Sequence, residues 1–397
     1  MKRGGETLQE VDYWLWFSLK DSISRKRQIA LLQQIGSPEK LFHMDKKQMK
    51  KAGLSIKERI TFADKGMEYP ETVKERCKEV GIHILTYHNP AYPEKLKEIS
   101  DPPCILYVRC KEKINLNDKI CISMVGNRDM TKYGELAANE IAAGLAKVGI
   151  VVVSGMATGI DSASHIGALD AGGLTIAVLG CGADIVYPRH NNMLMNAIIE
   201  HGMVITEFPP GTPPLPKHFP IRNRIISGLS EGVAVIEAPI KSGSLITADL
   251  ALKQNRDVFA VPGDINRFHS RGCNKLISKG AILINSAEDI LKEYEFVFRN
   301  TLKQYSETHL QLETKRTEIK EILSVKNATP LMITNTYENL SEQQRKIIKN
   351  LSISPVSLET LLEKTKLSAD ELSAEIMMLE IEGYIKELPG KYFVLHT

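Results

Sequence analysis

Apolar runs and segments of helical spacing alternate through the middle of the chain, from residue 119 to about residue 291. The short runs rich in β-branched residues predict strands at 120–125, 150–154, 174–179, 203–207, 232–237, 258–261 and 281–284. The segments between them predict helices at about 132–147, 161–171, 191–200, 220–229, 244–254 and 273–278. Continuously apolar strands that alternate with helices are typical of a parallel sheet covered on both faces. We therefore predict an α/β domain with an extended Rossmann-like parallel sheet.

The pattern changes on either side of this region. Residues 8 to 66 predict short helices broken at Gly36 and Gly53, as in a SAM-like or helix-hairpin-helix module. Prolines and an apolar run at 104–108 indicate an extension with one strand before the sheet. Capping-box patterns at 341–344 and 368–371, followed by strand-like pieces, predict a C-terminal winged helix. The expected domains are residues 1–70, 71–295 and 339–397, with a linker at 296–338.

Composition narrows the class of protein only slightly. The 397 residues are 43% hydrophobic and 25% charged, as in a folded protein of two or three domains. A formal net charge of +3 means that any nucleic-acid site has to come from local clusters of basic residues. The six cysteines form no CxxC pair and no metal-type group with histidines, so we expect reduced thiols in a cytoplasmic protein. No targeting signal or membrane-spanning run is visible.

The residues that carry chemistry lie in the loops that follow the predicted strands. In parallel sheets these loops gather at the carboxyl edge, where ligands bind. The clearest loop is Ser154-Gly-Met-Ala-Thr-Gly-Ile-Asp161, a glycine turn between a buried strand and a helix, where free amides and the helix dipole favour an anion. Gly155 and Gly159 allow positive φ and let a ligand approach the backbone closely. The candidate binding residues in these loops are Gly126, Asn127, Arg128, Gly155, Thr158, Gly159, Lys217, Phe219, Arg222, Asn223, Arg224, Ser242, Gly243, Ser244 and Thr247.

The cations among these residues are expected to cluster on the rim of one anion site. For Arg222 and Arg224 the alternative is a bracing role, in which each pairs with a carboxylate such as Glu207 or Glu237.

The absence of known nucleotide-binding motifs narrows the kind of anion that this site is expected to bind. A dinucleotide site is disfavoured because Arg128 replaces the second glycine of the fingerprint, and no Walker lysine motif is present. Phe219 lies close to Lys217, which favours a stacked base next to a backbone phosphate, the combination used for single-stranded nucleic acid. No motif requires a metal or a cofactor.

Taken together, these motifs resemble the DNA-processing protein A family, also called DprA or Smf. The matching segments are 126–128, 154–165, 219–228 and 242–247, with Tyr92-Pro93 upstream and the winged-helix unit downstream. The resemblance implies a bacterial protein that binds and protects single-stranded DNA during natural transformation and helps to load the RecA recombinase.

The resemblance also implies roles for parts of the chain. It places Gly126, Asn127 and Arg128 at the floor of a positively charged pocket. It assigns phosphate and base contacts to Lys217, Phe219, Arg222, Asn223 and Arg224. It further implies a homodimer through the C-terminal part of the Rossmann-like domain, around residues 276–284.

Two other functions remain open. Asp161 and His165 lie four residues apart at a helix start and fit a carboxylate–imidazole pair, as an enzyme of the phosphoribohydrolase type on this fold would need. Residues 237–247 lack the double glycine and aligned glutamate of those enzymes. A regulator that reads duplex DNA would use the helix at 368–383, which carries carboxylates and no Lys or Arg. We expect that unit to bind protein or a neighbouring subunit.

Overall fold

A computed structural model describes residues 8–295, 341–351, 356–381, 385–388 and 392–395. The chain divides into two compact units, and the boundary between them lies outside the described residues. The predicted linker at 296–338 also lies outside them. The first unit holds the N-terminal helices together with the large sheet.

The N-terminal helices pack directly on the sheet. They are α1 (Glu10–Ser18), α2 (Arg25–Ile35), α3 (Pro38–His43), α4 (Lys46–Lys51), α5 (Ile56–Ala63) and α6 (Glu68–Glu79). Serine or aspartate side chains accept a backbone hydrogen bond at the start of α2 to α5, which fixes where these helices begin. Trp14 and Trp16 of α1 share one core with Tyr107 and Val204 of the sheet. The boundary predicted at residue 70 falls inside α6.

The strands are β1 (His83–Thr86), β2 (Ile105–Arg109), β3 (Cys121–Val125), β4 (Val151–Ser154), β5 (Thr175–Val178), β6 (Met203–Thr206), β7 (Gly232–Val235), β8 (Asp257–Ala260) and β9 (Ile282–Leu283). Within the described residues they form one nine-stranded sheet in the order β1-β2-β6-β5-β4-β3-β7-β8-β9. Neighbours from β6 to β9 are parallel, as predicted. The edge is mixed, because β1 pairs antiparallel with β2 and β2 pairs antiparallel with β6. The sequence pattern predicted β2 and missed β1.

The connecting helices cover both faces of the parallel strands. They are α7 (Glu94–Lys97), α8 (Lys132–Lys147), α9 (Ile160–Asp170), α10 (Asn192–His201), α11 (His218–Gly228), α12 (Gly243–Lys253), α13 (Arg271–Ser278) and α14 (Ala287–Tyr294). Along β4, Val151 and Val153 belong to the core under α11 and α12, whereas Val152 belongs to the core under α8 and α9. A strand buried on both faces in this way needs a continuous apolar run, which explains the pattern in the sequence.

The order of the strands creates a crevice at the carboxyl edge. The chain moves outward from β3 through β4, β5 and β6, and then returns to place β7 on the other side of β3. Connections from β3 and β7 therefore leave in opposite directions, and ligands of open α/β sheets bind at such a switch point. The loops after β3, β4 and β5 are neighbours there.

The second unit is a winged helix. It contains α15 (Glu342–Asn350), β10 (Val356–Ser357), α16 (Leu358–Thr365), α17 (Ala369–Ile381), β11 (Ile385–Leu388) and β12 (Tyr392–Leu395). Its sheet has the antiparallel order β10-β12-β11, and its core contains Leu361, Leu372 and Phe393. The capping box predicted at the start of α15 is present. Across the described residues, no helix is both long and apolar enough to cross a bilayer.

Candidate nucleic-acid interface

The turns after β3 and β4 are built against each other. Ile160 N donates to Asn127 O at 3.1 Å, and Asn127 N donates to Glu237 O at 2.7 Å, so the β3 turn is held between its two neighbours. Gly159 has φ +78°, and a Cβ there would overlap the backbone of Asn127 and Arg128. Glycine is needed at this position for both reasons. Arg128, in the turn after β3, is exposed.

Gly155 is needed for a different reason from the one predicted. Gly155 does not adopt the positive φ that a glycine allows, whereas the next residue, Met156, has φ 55°. A Cβ on Gly155 would lie 2.7 Å from Cζ of Arg222, so the glycine makes room for a guanidinium. Nη1 of Arg222 donates to Gly155 O at 2.8 Å and also to Val178 O. Through these bonds, α11 holds the ends of β4 and β5 together.

A cavity of about 80 Å³ opens beside these turns, at the carboxyl ends of β3, β4 and β5. Its lining consists of Arg128, Gly155, Ala157, Thr158, Leu179, Gly180, Cys181, Tyr187, Pro188 and Phe219. Cζ of Arg128 lies 5.5 Å from the centre of the Phe219 ring. The Tyr187 ring lies 5.5 Å from the Phe219 ring at an interplanar angle of 41°. An exposed positive charge, two aromatic side chains and a glycine turn therefore meet at one place.

Arg222 lies beneath the cavity rather than on its rim. The residue is 3% exposed, and Cζ lies 5.9 Å from the centre of the Phe219 ring. Burial lowers the pKa of Arg222 to about 10, an effect that nearby Asp161 opposes. The guanidinium therefore stays charged at neutral pH and contributes a positive potential from below, without an exposed donor.

Arg224 takes the bracing role. The residue is 4% exposed, and its Nη1 and Nη2 each donate to Glu207 at 2.8 Å. Its Nε donates to Asp101 Oδ2 at 3.0 Å, and Arg25 of α2 also donates to Glu207. These contacts use the donors of Arg224 in joining α11 to β6 and to the N-terminal helices. For Arg224, the alternative of a carboxylate-paired brace is therefore the one that the structure adopts.

The remaining residues of the predicted set lie outside the cavity. Lys217 is exposed at the N-cap of α11 and lines a larger cleft, of about 430 Å³, between the N-terminal helices and the sheet. Asn223 is half-buried on α11 and lines neither cavity. Ser242 caps α12 by accepting from Ser244 N at 3.3 Å, and Thr247 is buried. Both residues follow β7, Ser242 as the N-cap of α12 and Thr247 within that helix, on the other side of β3 from the cavity.

Asp161 and His165 do not form the pair that an enzyme would need. His165 is fully buried, with Nδ1 2.6 Å from Oγ1 of Thr175. Because the Thr175 hydroxyl donates to Val152 O at 2.7 Å, His165 Nδ1 has to be the donor to Thr175. Burial lowers the pKa of His165 to about 3, so the ring is neutral. Asp161 instead accepts from Ala157 N at 3.3 Å and shapes the glycine turn.

Tyr187 is the residue that sequence reasoning missed. It lies in the loop after β5, next to Pro188, and both residues line the cavity. The signal available in the sequence was an exposed aromatic in a carboxyl-edge loop, which motif matching alone does not select.

Comparison with known proteins gives matches to the same family over most of the chain. A family model described as DNA recombination-mediator protein A matches residues 83–295, and a model of the DprA winged helix domain matches residues 334–391. Protein Smf of Escherichia coli is 31% identical over 383 residues, which is 96% of each chain. DNA processing protein DprA of Streptococcus pneumoniae is 45% identical over 205 residues, covering 52% of this chain and 72% of that protein.

Similarity extends to a solved structure. The X-ray structure of DNA processing protein A from Streptococcus pneumoniae aligns with a TM-score of 0.61 at 34% identity. The alignment covers 72% of this chain and 99% of that one. Together with the match of both family models in chain order, this places the present chain in the DNA recombination-mediator protein A family, the DprA/Smf family of DNA-processing proteins.

Proposed function

We propose that this chain binds single-stranded DNA at the cavity and protects the strand during recombination without cutting it. The observation that carries the proposal is the position of the exposed Arg128 guanidinium against the ring of Phe219, beside the glycine turn after β4. A basic side chain next to an aromatic surface is the arrangement that holds a phosphate and its base together.

Each part of the cavity has a chemical task. Arg128 and those backbone amides of the glycine turn that Asp161 and Asn127 do not occupy would hold phosphate, with the dipole of α9 adding a favourable field. Phe219 and Tyr187 would stack against bases. In a duplex each base is already stacked between its neighbours, so its face is not free to meet Phe219. The cavity therefore suits an unpaired strand better than a duplex.

We assign different roles to the predicted contact residues. In this proposal Arg222 acts from beneath as a fixed charge, and Arg224 is a brace. Lys217 would contact the backbone where the strand leaves the cavity toward the larger cleft. Asn223 and the loop 242–247 stay predictions, since neither lines the cavity.

Dimer formation and RecA loading belong to the same proposal. β9 lies at the edge of the sheet, and its Leu283 is 45% exposed, which supports pairing with a second copy around residues 276–284. Two cavities on one assembly would raise affinity through effective concentration. RecA loading and a cytoplasmic location are the further expectations. The exposed carboxylates Glu371 and Glu380 on α17 favour a protein partner for the winged helix over a DNA groove.

The test is fluorescence polarisation with single- and double-stranded oligonucleotides over a salt series. Arg128→Glu is expected to weaken single-strand binding severely and to reduce the salt slope by about 0.7 for each phosphate that the protein no longer neutralises. Lys217→Glu is expected to act in the same direction. Phe219→Ala is expected to weaken binding by roughly 5- to 150-fold, because stacking is worth about 1–3 kcal/mol per base.

Lys147→Glu is a matched charge control, because Lys147 is exposed in the last turn of α8, at the opposite edge of the sheet. It is expected to bind like the parent. If Arg128→Glu and Phe219→Ala also bind like the parent, the cavity is not the DNA site.

A further inference from the structure

The loop that follows β8 exposes large apolar side chains beside two arginines. Ile265 is 78% exposed and Phe268 is 60% exposed, whereas side chains of this kind are normally buried. Arg267 and Arg271 are exposed in the same segment. Its one carboxylate, Asp264, accepts from Asn266 N at 2.9 Å. The loop therefore presents an aromatic ring with an excess of positive charge. We call residues 262–271 the β8 loop.

The β8 loop is held in place at both ends. The Asn274 side chain accepts from Gly263 N at 3.2 Å and donates to Gly263 O at 2.8 Å, which fixes the start of the loop on α13. At the other end, His269 Nδ1 lies 2.6 Å from the side-chain nitrogen of Asn127. Since Asn127 directly precedes Arg128, the loop is joined to the turn that carries the proposed phosphate contact. The segment that carries Phe268 is therefore anchored on both sides.

In the β8 loop, the exposed Phe268 ring lies in the same segment as the exposed Arg267 and Arg271. The Phe268 ring meets the His269 ring edge-on, with centres 5.5 Å apart at 90°. Tyr133 donates to Pro262 O at 2.8 Å. Burial raises the pKa of Tyr133, and the positive charge of Arg267 opposes that rise. An exposed aromatic ring in the same segment as two exposed arginines is suited to a base and its phosphate.

Distance along the sheet links the β8 loop to the cavity. β8 is two strands from β3 in the order β3-β7-β8, which is about 10 Å at the usual spacing of strands. One strand of nucleic acid rises at least about 3.4 Å per nucleotide, so about three nucleotides or fewer bridge this distance. By this estimate, a single strand held at Arg128 needs only about three more nucleotides to reach the β8 loop.

We propose that the β8 loop is a second subsite for the same single strand, in which Phe268 stacks a base and Arg267 and Arg271 hold flanking phosphates. The strand then runs along the carboxyl edge from Phe219, past Arg128, to Phe268. This inference rests on the proposed function of the cavity. The charge of the loop selects nucleic acid over an apolar protein partner.

The test compares oligo-dT of about 2 nucleotides, which is too short to span both subsites, with oligo-dT of about 16 nucleotides on the full chain, by fluorescence polarisation. The long strand reaches both subsites, so Phe268→Ala and the double variant Phe268→Ala/Arg267→Glu are expected to lower the ratio of long-strand to short-strand affinity by roughly 5- to 150-fold. Lys147→Glu controls for net charge and leaves this ratio as in the parent.

Three results would overturn the inference, and they differ in whether the proposed function of the cavity also fails. If the double variant keeps the parent's ratio while Arg128→Glu still loses binding, the second subsite is wrong and the proposed function stands. If the parent binds neither strand, both fail. If the double variant changes the sedimentation of the DNA-free protein and leaves the ratio unchanged, the β8 loop is a protein interface instead.

Discussion

Replacing Glu207 tests whether Arg224 of α11 stabilises the fold and has no part in DNA binding. The Glu207 side chain is 2% exposed and accepts two hydrogen bonds of 2.8 Å from Arg224, whose side chain is 5% exposed. Glu207→Leu leaves the Arg224 guanidinium buried with only Asp101 as a carboxylate partner. Breaking a buried pair from one side costs about 3–5 kcal/mol, and Asp101, whose side chain is 36% exposed, compensates the remaining charge only in part.

Intrinsic fluorescence measures this loss in the intact chain. The two tryptophans of the sequence, Trp14 and Trp16, are both buried in α1, so their emission follows unfolding of the first unit alone. With a urea m-value of about 3 kcal/mol/M, the expected loss lowers the midpoint of unfolding by about 1 to 1.7 M.

The double variant Glu207→Leu/Arg224→Met is the control for this reasoning. It removes both buried charges and replaces them with apolar side chains, so we expect it to recover most of the lost stability. We also expect it to bind single-stranded DNA like the parent, because Arg224 does not line the cavity. A midpoint shift below about 0.3 M for Glu207→Leu, or weak DNA binding by a stable double variant, would refute the bracing role.

Three further predictions concern other parts of the chain. Gly155→Ala is expected to lower both the melting temperature and single-strand affinity, since its Cβ would displace Arg222; Gly243→Ala, with no atom within 4 Å of the new Cβ, is the stability control. Arg27 donates hydrogen bonds to Glu58 and lowers the pKa of that carboxyl to about 2. The ion pair therefore stabilises the fold above pH 4.5 and loses this effect as the pH falls toward 2. In urea unfolding, Glu58→Gln is expected to be about 1 kcal/mol less stable than the parent at pH 7 and as stable as the parent near pH 2. The isolated residues 339–397 are expected not to bind duplex DNA in a mobility shift; tight, salt-dependent binding would contradict the protein-partner role of α17.

The parallel strands could be predicted because each is a continuous apolar run buried on both faces, and β3 to β8 begin and end within two residues of the prediction. β1 was missed because it lies at the edge of the sheet, where no residue of His83–Thr86 is fully buried and the apolar run is only Ile84 and Leu85.

The candidate site could be predicted only as a group of loops. Arg222 and Arg224 are two positions apart and have the same chemistry in the sequence. Their roles differ because one meets backbone carbonyls of β4 and β5, and the other meets Glu207 and Asp101. Such partners come from distant parts of the chain, so only the folded structure shows that both arginines are buried and which segments each one holds together.

Photocrosslinking of the intact protein to a single strand carrying 5-iododeoxyuridine tests the central claim most directly, because the adducts identify which aromatic side chain a base touches. We predict adducts on Phe219 or Tyr187 that disappear with excess unlabelled single strand and persist with the same excess of duplex. Adducts confined to the winged helix, or to the amino edge of the sheet, would contradict the assignment of the cavity as the single-strand site.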